Sequence, residues 1–442
     1  MQRMFKKLSS AQLIMGSFAL VILTGALLLM LPVASRDGTS TTFLGALFTA
    51  VSSVCVTGLV VYDTATHWTI FGQGIIILLI QIGGMGVVTV AAAVALASGS
   101  RISLRYRSTM QDAISAPQVG GIVRFTGFIL KGIFLVEAVG AFALAWVFIP
   151  EFDFPQGLWM AVFHSISAFC NAGFDLMGQQ AQFSSLTRYA AHGYMNLVII
   201  LLVVIGGLGF LTWEDICRNR FRFTRYRMQS KVILFITAVL LLVPALYFFF
   251  FEFDALSGKE RFWTSLFQSV TLRTAGFNTV DFATISESGL MMMSLIMLIG
   301  GAPGSTAGGM KITTFVVLLA TAIAGSRREH SGHLFGRRIS DETVKNAVTV
   351  FLLYVVLFLL GGMLISRIED LPIVTCLFES ASAVGTVGCS LGATPTLSSA
   401  SRVILIMQMF FGRVGGLTMV YATLTANKDT LSRLPLENIS VG

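Results

Sequence analysis

Four short segments repeat one pattern: Val56-Thr57-Gly58, Asn171-Ala172-Gly173, Thr274-Ala275-Gly276 and Thr386-Val387-Gly388. Each follows a short apolar run carrying Phe and small hydroxyl residues, and each precedes a long apolar segment with a Gly-Gly pair. The chemistry open to such segments is that of their backbone. Carbonyl oxygens converging on an axis can replace the water shell of a cation, and glycine adopts backbone angles that other residues avoid. A short helix aiming its partially negative C-terminal end at that axis favours a cation further. A single such glycine is as readily explained by close helix packing; four in register point to the wall of a pore.

A second stretch runs through Gly300, Gly301, Ala302, Pro303, Gly304, Ser305, Thr306, Ala307, Gly308, Gly309, Met310 and Lys311, in the middle of a long apolar span. Five glycines and a proline there must break the helix, and the freed backbone groups need partners or a watery cavity. A flexible loop just below a filter is a candidate gate. Its Gly-to-Lys spacing resembles a phosphate-binding loop only superficially, since no Gly-Lys-Ser/Thr run and no preceding strand are present. Arg413 sits centrally in its own span, where a charge costs ~2.5–3.5 kcal/mol or more. A fixed charge ~8 Å from a passing cation repels it by ~2 kcal/mol at an effective dielectric near 20. Arg413 and Lys311 could therefore brake conduction; the plainer alternatives are a buried pairing of Arg413 with loop carbonyls and interfacial snorkelling of Lys311. Glu137 reads as a hydrogen-bonding group of the helix bundle, and Glu379 as a support behind the fourth loop.

The elements that must position these residues form one unit, repeated four times: a long apolar helix, a run too short to span, and a second long helix. The first helices cover roughly 12–31, 125–149, 232–251 and 347–365; the short runs 43–54, 158–169, 262–272 and 373–384; the second helices 71–97, 194–213, 290–324 and 403–425. A dozen residues cannot cross a hydrocarbon core of ~30 Å, so each short run enters the membrane and turns back. From each filter glycine to the first glycine of the following cluster the spacings are 25, 33, 24 and 24 residues. Linked marks repeated in register define a repeat architecture. The fold expected is an all-α integral membrane protein of eight transmembrane helices and four re-entrant pore helices around one pore. The pseudo-repeats run approximately 8–100, 120–216, 230–325 and 343–427 within a single domain.

The totals agree. The chain of 442 residues is 55% hydrophobic and only 12% charged, against about 25% charged in soluble domains. Its formal net charge of +8 is explained by location. The segments assigned to the cytoplasm hold 20 Lys and Arg, while the outer segments hold 7 against 13 acidic residues. That is the positive-inside pattern, with both termini cytoplasmic, and it argues against a nucleic-acid partner. Five cysteines without CxxC spacing define neither a disulfide framework nor a zinc site. The uncharged stretch 8–35 exceeds a signal-peptide core and reads as a retained helix.

These residues resemble the Ktr/Trk/HKT superfamily of potassium transporters, in particular its Ktr-type (KtrB-like) membrane subunits, over essentially the whole chain. The resemblance rests on the four helix–pore helix–helix units, Gly58, Gly173, Gly276 and Gly388, the loop from Gly300 to Lys311, and Arg413. It implies K+ passage with help from Na+, no organic cofactor in this chain, and a homodimer with one pore per subunit. It also implies a cytosolic ring of nucleotide-binding RCK (KtrA-type) subunits as partner, and the lipid of the cell membrane as surroundings. Glycine in the first loop is the K+-selective pattern. The ending Ile439-Ser440-Val441-Gly442 is similar to the terminus that lies at the subunit contact in that family. Cys55 and Cys389 depart from its pattern, and neither removes a carbonyl.

Other readings compete. A Na+- or NH4+-passing relative would share the fold. An intramembrane hydrolase would use Ser305, or Ser165 with His164, and needs nucleophile and base within hydrogen-bond reach; it leaves the four-fold pattern unexplained. A membrane scaffold predicts no ion flux at all.

Overall fold

The computed structural model describes residues 9–97, 104–113, 121–179, 181–220, 222–329, 331–416 and 418–419; the C-terminal motif at 439–442 lies outside them. The first unit contains α1 (Ser10–Leu29), α2 (Phe43–Val54), α3 (Ile70–Met85) and α4 (Val87–Ala97). The second contains α5 (Ile122–Phe152), α6 (Phe154–Cys170), α7 (Gly193–Gly207) and α8 (Phe210–Asn219). The third contains α9 (Met228–Tyr247), extended by a π-turn at Phe248–Glu252, then α10 (Gly258–Thr271), α11 (Glu287–Met297) and α12 (Ile312–Ser326). The fourth contains α13 (Asp341–Glu369), α14 (Ile373–Gly385) and α15 (Ser399–Val414). A two-stranded hairpin, β1 (His333–Leu334) with β2 (Arg337–Arg338), interrupts the basic segment between units three and four.

Serine and threonine start many of these helices, because their side chains accept from an otherwise orphaned amide of the first turn. Ser9 with Gln12 forms a capping box on α1; Thr42, Thr69, Ser286 and Ser340 cap α2, α3, α11 and α13. At the outer face a carboxylate ties each late unit together. Glu252, ending the first helix of unit three, accepts from the amide and hydroxyl of Ser286; Glu369 does the same with Ser398 in unit four.

Burial sorts the helices into two shells. The long helices α1, α5, α9 and α13 hide one stripe, as in Ile14, Phe18 and Ile22 of α1, and expose apolar side chains such as Leu20, Leu27, Phe142 and Trp146. They are the lipid-facing layer. The short helices are buried towards their C-terminal ends, while Phe43, Phe154, Phe262 and Ile373 near their starts stay exposed; in α14 every residue from Cys376 to Gly385 is buried.

The second helices differ from the straight spans expected. Only the third was expected to break. In the first, α3 and α4 meet at 97°, and in the second α7 and α8 meet at 99°. The hinges are Gly86 (φ 83°) and Gly209 (φ 83°), and Gly415 (φ 91°) ends α15 in the same register. This backbone region is open to glycine and strained for other residues. Among the described residues, four helices are long and apolar enough to cross a membrane unbroken, or six if each bent pair is one span.

Candidate functional site

Each pore helix ends by placing the first residue of its filter segment in the left-handed region: Val56 at φ 56°, Asn171 at 61°, Thr274 at 66° and Thr386 at 51°. For branched residues such as Val and Thr this conformation costs on the order of 1–3 kcal/mol and persists only where surroundings over-determine it. They do. The amides of Thr57, Ala172 and Val387 donate to the carbonyls of Ser52, Ser167 and Ser382, each at 2.8 Å, and Ala275 donates to Thr271 at 2.9 Å. The Ser52 and Ser382 hydroxyls accept from Gly58 and Gly388. Those of Ser167 and Thr271 donate instead to the carbonyls of Phe174 and Phe277.

The result is a closed ring. A Cβ on Gly58 would meet the Ala172 carbonyl oxygen, one on Gly173 that of Ala275, one on Gly276 that of Val387, and one on Gly388 that of Thr57. The ring runs through units one, two, three and four and back to one, with every gap at 2.8 Å or closer. All four glycines have positive φ, between 67° and 95°. Among the described residues, the carbonyls of Thr57, Ala172, Ala275 and Val387 accept no hydrogen bond. Buried carbonyls are normally paired; these four are left without a donor at the ring.

Outside the ring lies a cavity of about 350 Å³ bordered by all four glycines and by Asp63, Asp175 and Asp281. Its walls are braced from behind. Glu379 accepts from the Ser390 hydroxyl at 2.7 Å, the Leu391 amide at 2.9 Å and the Thr394 hydroxyl at 2.5 Å, which is the supporting role expected of it. In unit two, His164 accepts at Nε2 from the Leu176 amide and donates from Nδ1 to the Met160 carbonyl.

Below the ring the chain from Gly300 to Lys311 forms a non-helical loop, as expected. It is tied to unit two: Ala302 and Thr306 donate to the carbonyls of Gly207 and Gly206, and Phe210 donates to Gly304. Its own ends pair where Gly300 donates to Met310 at 2.7 Å and Ile312 to Gly301 at 3.1 Å. Gly308 and Gly309 press against Thr386 and the Gly385 carbonyl under the fourth filter segment. Arg413 reaches across from α15, donating to the Thr306 carbonyl of the loop and to the Gly83 carbonyl of α3. Lys311 turns back to the Ala307 carbonyl at 2.8 Å, so its ammonium is held by the loop rather than snorkelling outward. Both basic residues border a cavity of about 290 Å³ together with Gly84, Gly86, Ser305 and Gly415. Glu137 accepts twice from Gln81 Nε2, at 2.9 and 3.1 Å, within the bundle.

The hydrolase pair is not assembled. The Ser165 hydroxyl donates to the Glu137 carbonyl, both His164 nitrogens are held by backbone, and Ser305 donates to Ala302. Sequence reasoning missed why the glycine clusters recur. In units one, two and four the first glycine (Gly83, Gly206, Gly412) lies against a pore-helix carbonyl, of Val54, Phe169 and Val384, where no Cβ fits. The recurrence of that glycine after each filter segment was the available signal.

Four re-entrant loops closing one ring of free carbonyls, between an acidic outer cavity and a looped inner one, define a membrane protein built to pass a cation. The chain belongs to the family described as TrkH, cation transport protein, whose model matches residues 9–433. It is 38% identical to the potassium/sodium uptake protein NtpJ of Enterococcus hirae, over 100% of this chain and 99% of that one. It is 37% identical to the Ktr system potassium uptake protein B of Bacillus subtilis, over 93% of this chain and 92% of the relative. The fold matches the crystal structure of the potassium transporter TrkH from Vibrio parahaemolyticus with a TM-score of 0.73 at 19% identity, covering 92% of this chain and 83% of that one.

Proposed function

We propose that this chain is the pore-forming subunit of a Ktr-type potassium uptake system. The observation that carries the reading is the closed ring of Gly58, Gly173, Gly276 and Gly388 with four unpaired carbonyls. The segments 56–58, 171–173, 274–276 and 386–388 act as the selectivity filter, exchanging the ion's water for backbone oxygen. The loop 300–311 with Arg413 acts as the gate beneath it, and the ion is cargo rather than cofactor; no catalytic step is involved. Na+ is a second cation of the system, a reading supported by the potassium/sodium name of the Enterococcus hirae relative. The names of the Ktr-system relatives support a multi-component assembly, which we read as a homodimer on a cytosolic RCK ring. Basic segments at 218–231 and 327–338 support a cytoplasmic face, and we read both termini as cytoplasmic.

The test is growth of a K+-uptake-deficient bacterial strain at low K+ with the regulatory partner co-expressed. Wild type restores growth, and Gly58→Ser restores it with lost preference for K+ over Na+. Membrane-inserted wild type that fails to restore growth refutes the potassium reading.

A further inference from the structure

Arg273 occupies the position just before the third filter segment, where the other three units carry Cys55, Cys170 and Gly385. It is 6% exposed, and its buried Nε has no hydrogen-bond partner among the described residues. In unit two a carboxylate lies beside the residue before the filter segment, Cys170 Sγ being 3.9 Å from Glu137. Among the described residues Arg273 forms no ion pair. A buried cation at membrane depth without a carboxylate is costly and is retained for function. Three pore helices thus present the filter with an uncompensated negative C-terminal end; the third presents a full positive charge.

We propose that Arg273 is a specificity-determining residue that keeps divalent cations out of the filter and prevents it from holding K+ too tightly. This rests on the filter reading above. Conduction needs a site that ions enter and also leave, and a fixed charge weakens occupancy in proportion to the valence of the ion. Arg273 lies three residues before Gly276; a unit charge on the order of 12 Å from an ion, at an effective dielectric near 20, lowers monovalent occupancy about tenfold and divalent occupancy about a hundredfold. Arg273 is not among the described residues bordering the cavity at the four glycines, so it acts through the field rather than by coordination.

The experiment measures rubidium uptake by the full chain in the uptake-deficient strain, with Ba2+ as inhibitor. Arg273→Gln should lower the K+ KM about tenfold and make Ba2+ inhibit at about a hundredfold lower concentration, while Arg273→Lys keeps both within threefold. Arg273→Met, which removes the charge and keeps a long side chain, should shift Ba2+ inhibition in the same direction and decides the matter if the Gln protein does not reach the membrane. An unchanged Ba2+ inhibition constant in the inserted Gln or Met variant, or a Lys variant that behaves like Gln, overturns the proposal. Gly58→Ser in the same assay separates the two readings: if it alters K+ over Na+ preference while Arg273→Gln changes nothing, only the role of Arg273 fails.

Discussion

Replacing Arg413 by Gln should open the gate. The guanidinium is the only described side chain that joins α15 to both the Thr306 carbonyl of the loop and the Gly83 carbonyl of α3. A hydrogen bond from a charged donor contributes about 1.5–3 kcal/mol. If the loop's closed position loses about 2 kcal/mol, the closed-to-open ratio falls roughly 30-fold. The repulsion of a passing cation by the same charge, of similar size, is removed as well. The filter carbonyls are not touched. Initial rates of rubidium uptake, normalised to the amount of protein in the membrane, should therefore show Vmax raised about tenfold or more with KM within about twofold. Arg413→Lys should fall between, since an ammonium keeps the charge but lacks the planar fork that spans two carbonyls. An unchanged or lower Vmax for Arg413→Gln at normal membrane abundance would refute the gating argument.

Gly412→Ala places a methyl against the Val384 carbonyl and 2.8 Å from Thr386 Cγ2; overpacking of this kind costs about 1–3 kcal/mol. Melting in detergent should drop by several degrees and uptake should fall, whereas Gly74→Ala, whose Cβ meets nothing within 4 Å, should leave both unchanged. In the outer cavity, burial, with Asp63 nearby, pushes the Asp175 carboxyl up to about 7, against the hydrogen bond it accepts from the Met177 amide. Above that pH it is ionised and attracts cations; below it the attraction is lost. The K+ KM should rise two- to threefold as external pH falls from about one unit above 7 to one below. Asp175→Asn should show the acid value throughout.

The four-fold plan was readable because it rests on features that composition and spacing express directly: short apolar runs, a glycine after each, and a Gly-Pro-rich break in the third unit. Glu379 was readable too, as a lone carboxylate in an apolar helix must find donors nearby. The bends at Gly86 and Gly209 were not. Hydropathy runs uninterrupted through 71–97, glycine is tolerated in straight membrane helices, and the sign of φ leaves no trace in either property. The long helices also extend past their apolar cores: α13 begins at Asp341 and ends at Glu369, because charged residues at the membrane surface continue a helix at little cost. Contacts across units were beyond local pattern. Arg413 meets Gly83 across 330 positions and Thr306 across 107, and only closure of the ring brings them together. Arg273 has no distinguishing mark in the sequence, being one of the seven basic residues of the outer segments, and only the fold leaves its Nε without a partner.

In the proposed filter, four backbone glycines jointly form one K+-selective ring. The most direct measurement is rubidium flux into proteoliposomes under K+ and Na+ competition, for wild type and for single serine replacements of Gly58, Gly173, Gly276 and Gly388. Each Cβ would intrude on the carbonyl of the neighbouring unit, so every replacement should lower K+ over Na+ discrimination, whichever unit carries it. Discrimination that survives replacement at all four positions would place selectivity elsewhere in the chain and contradict the account.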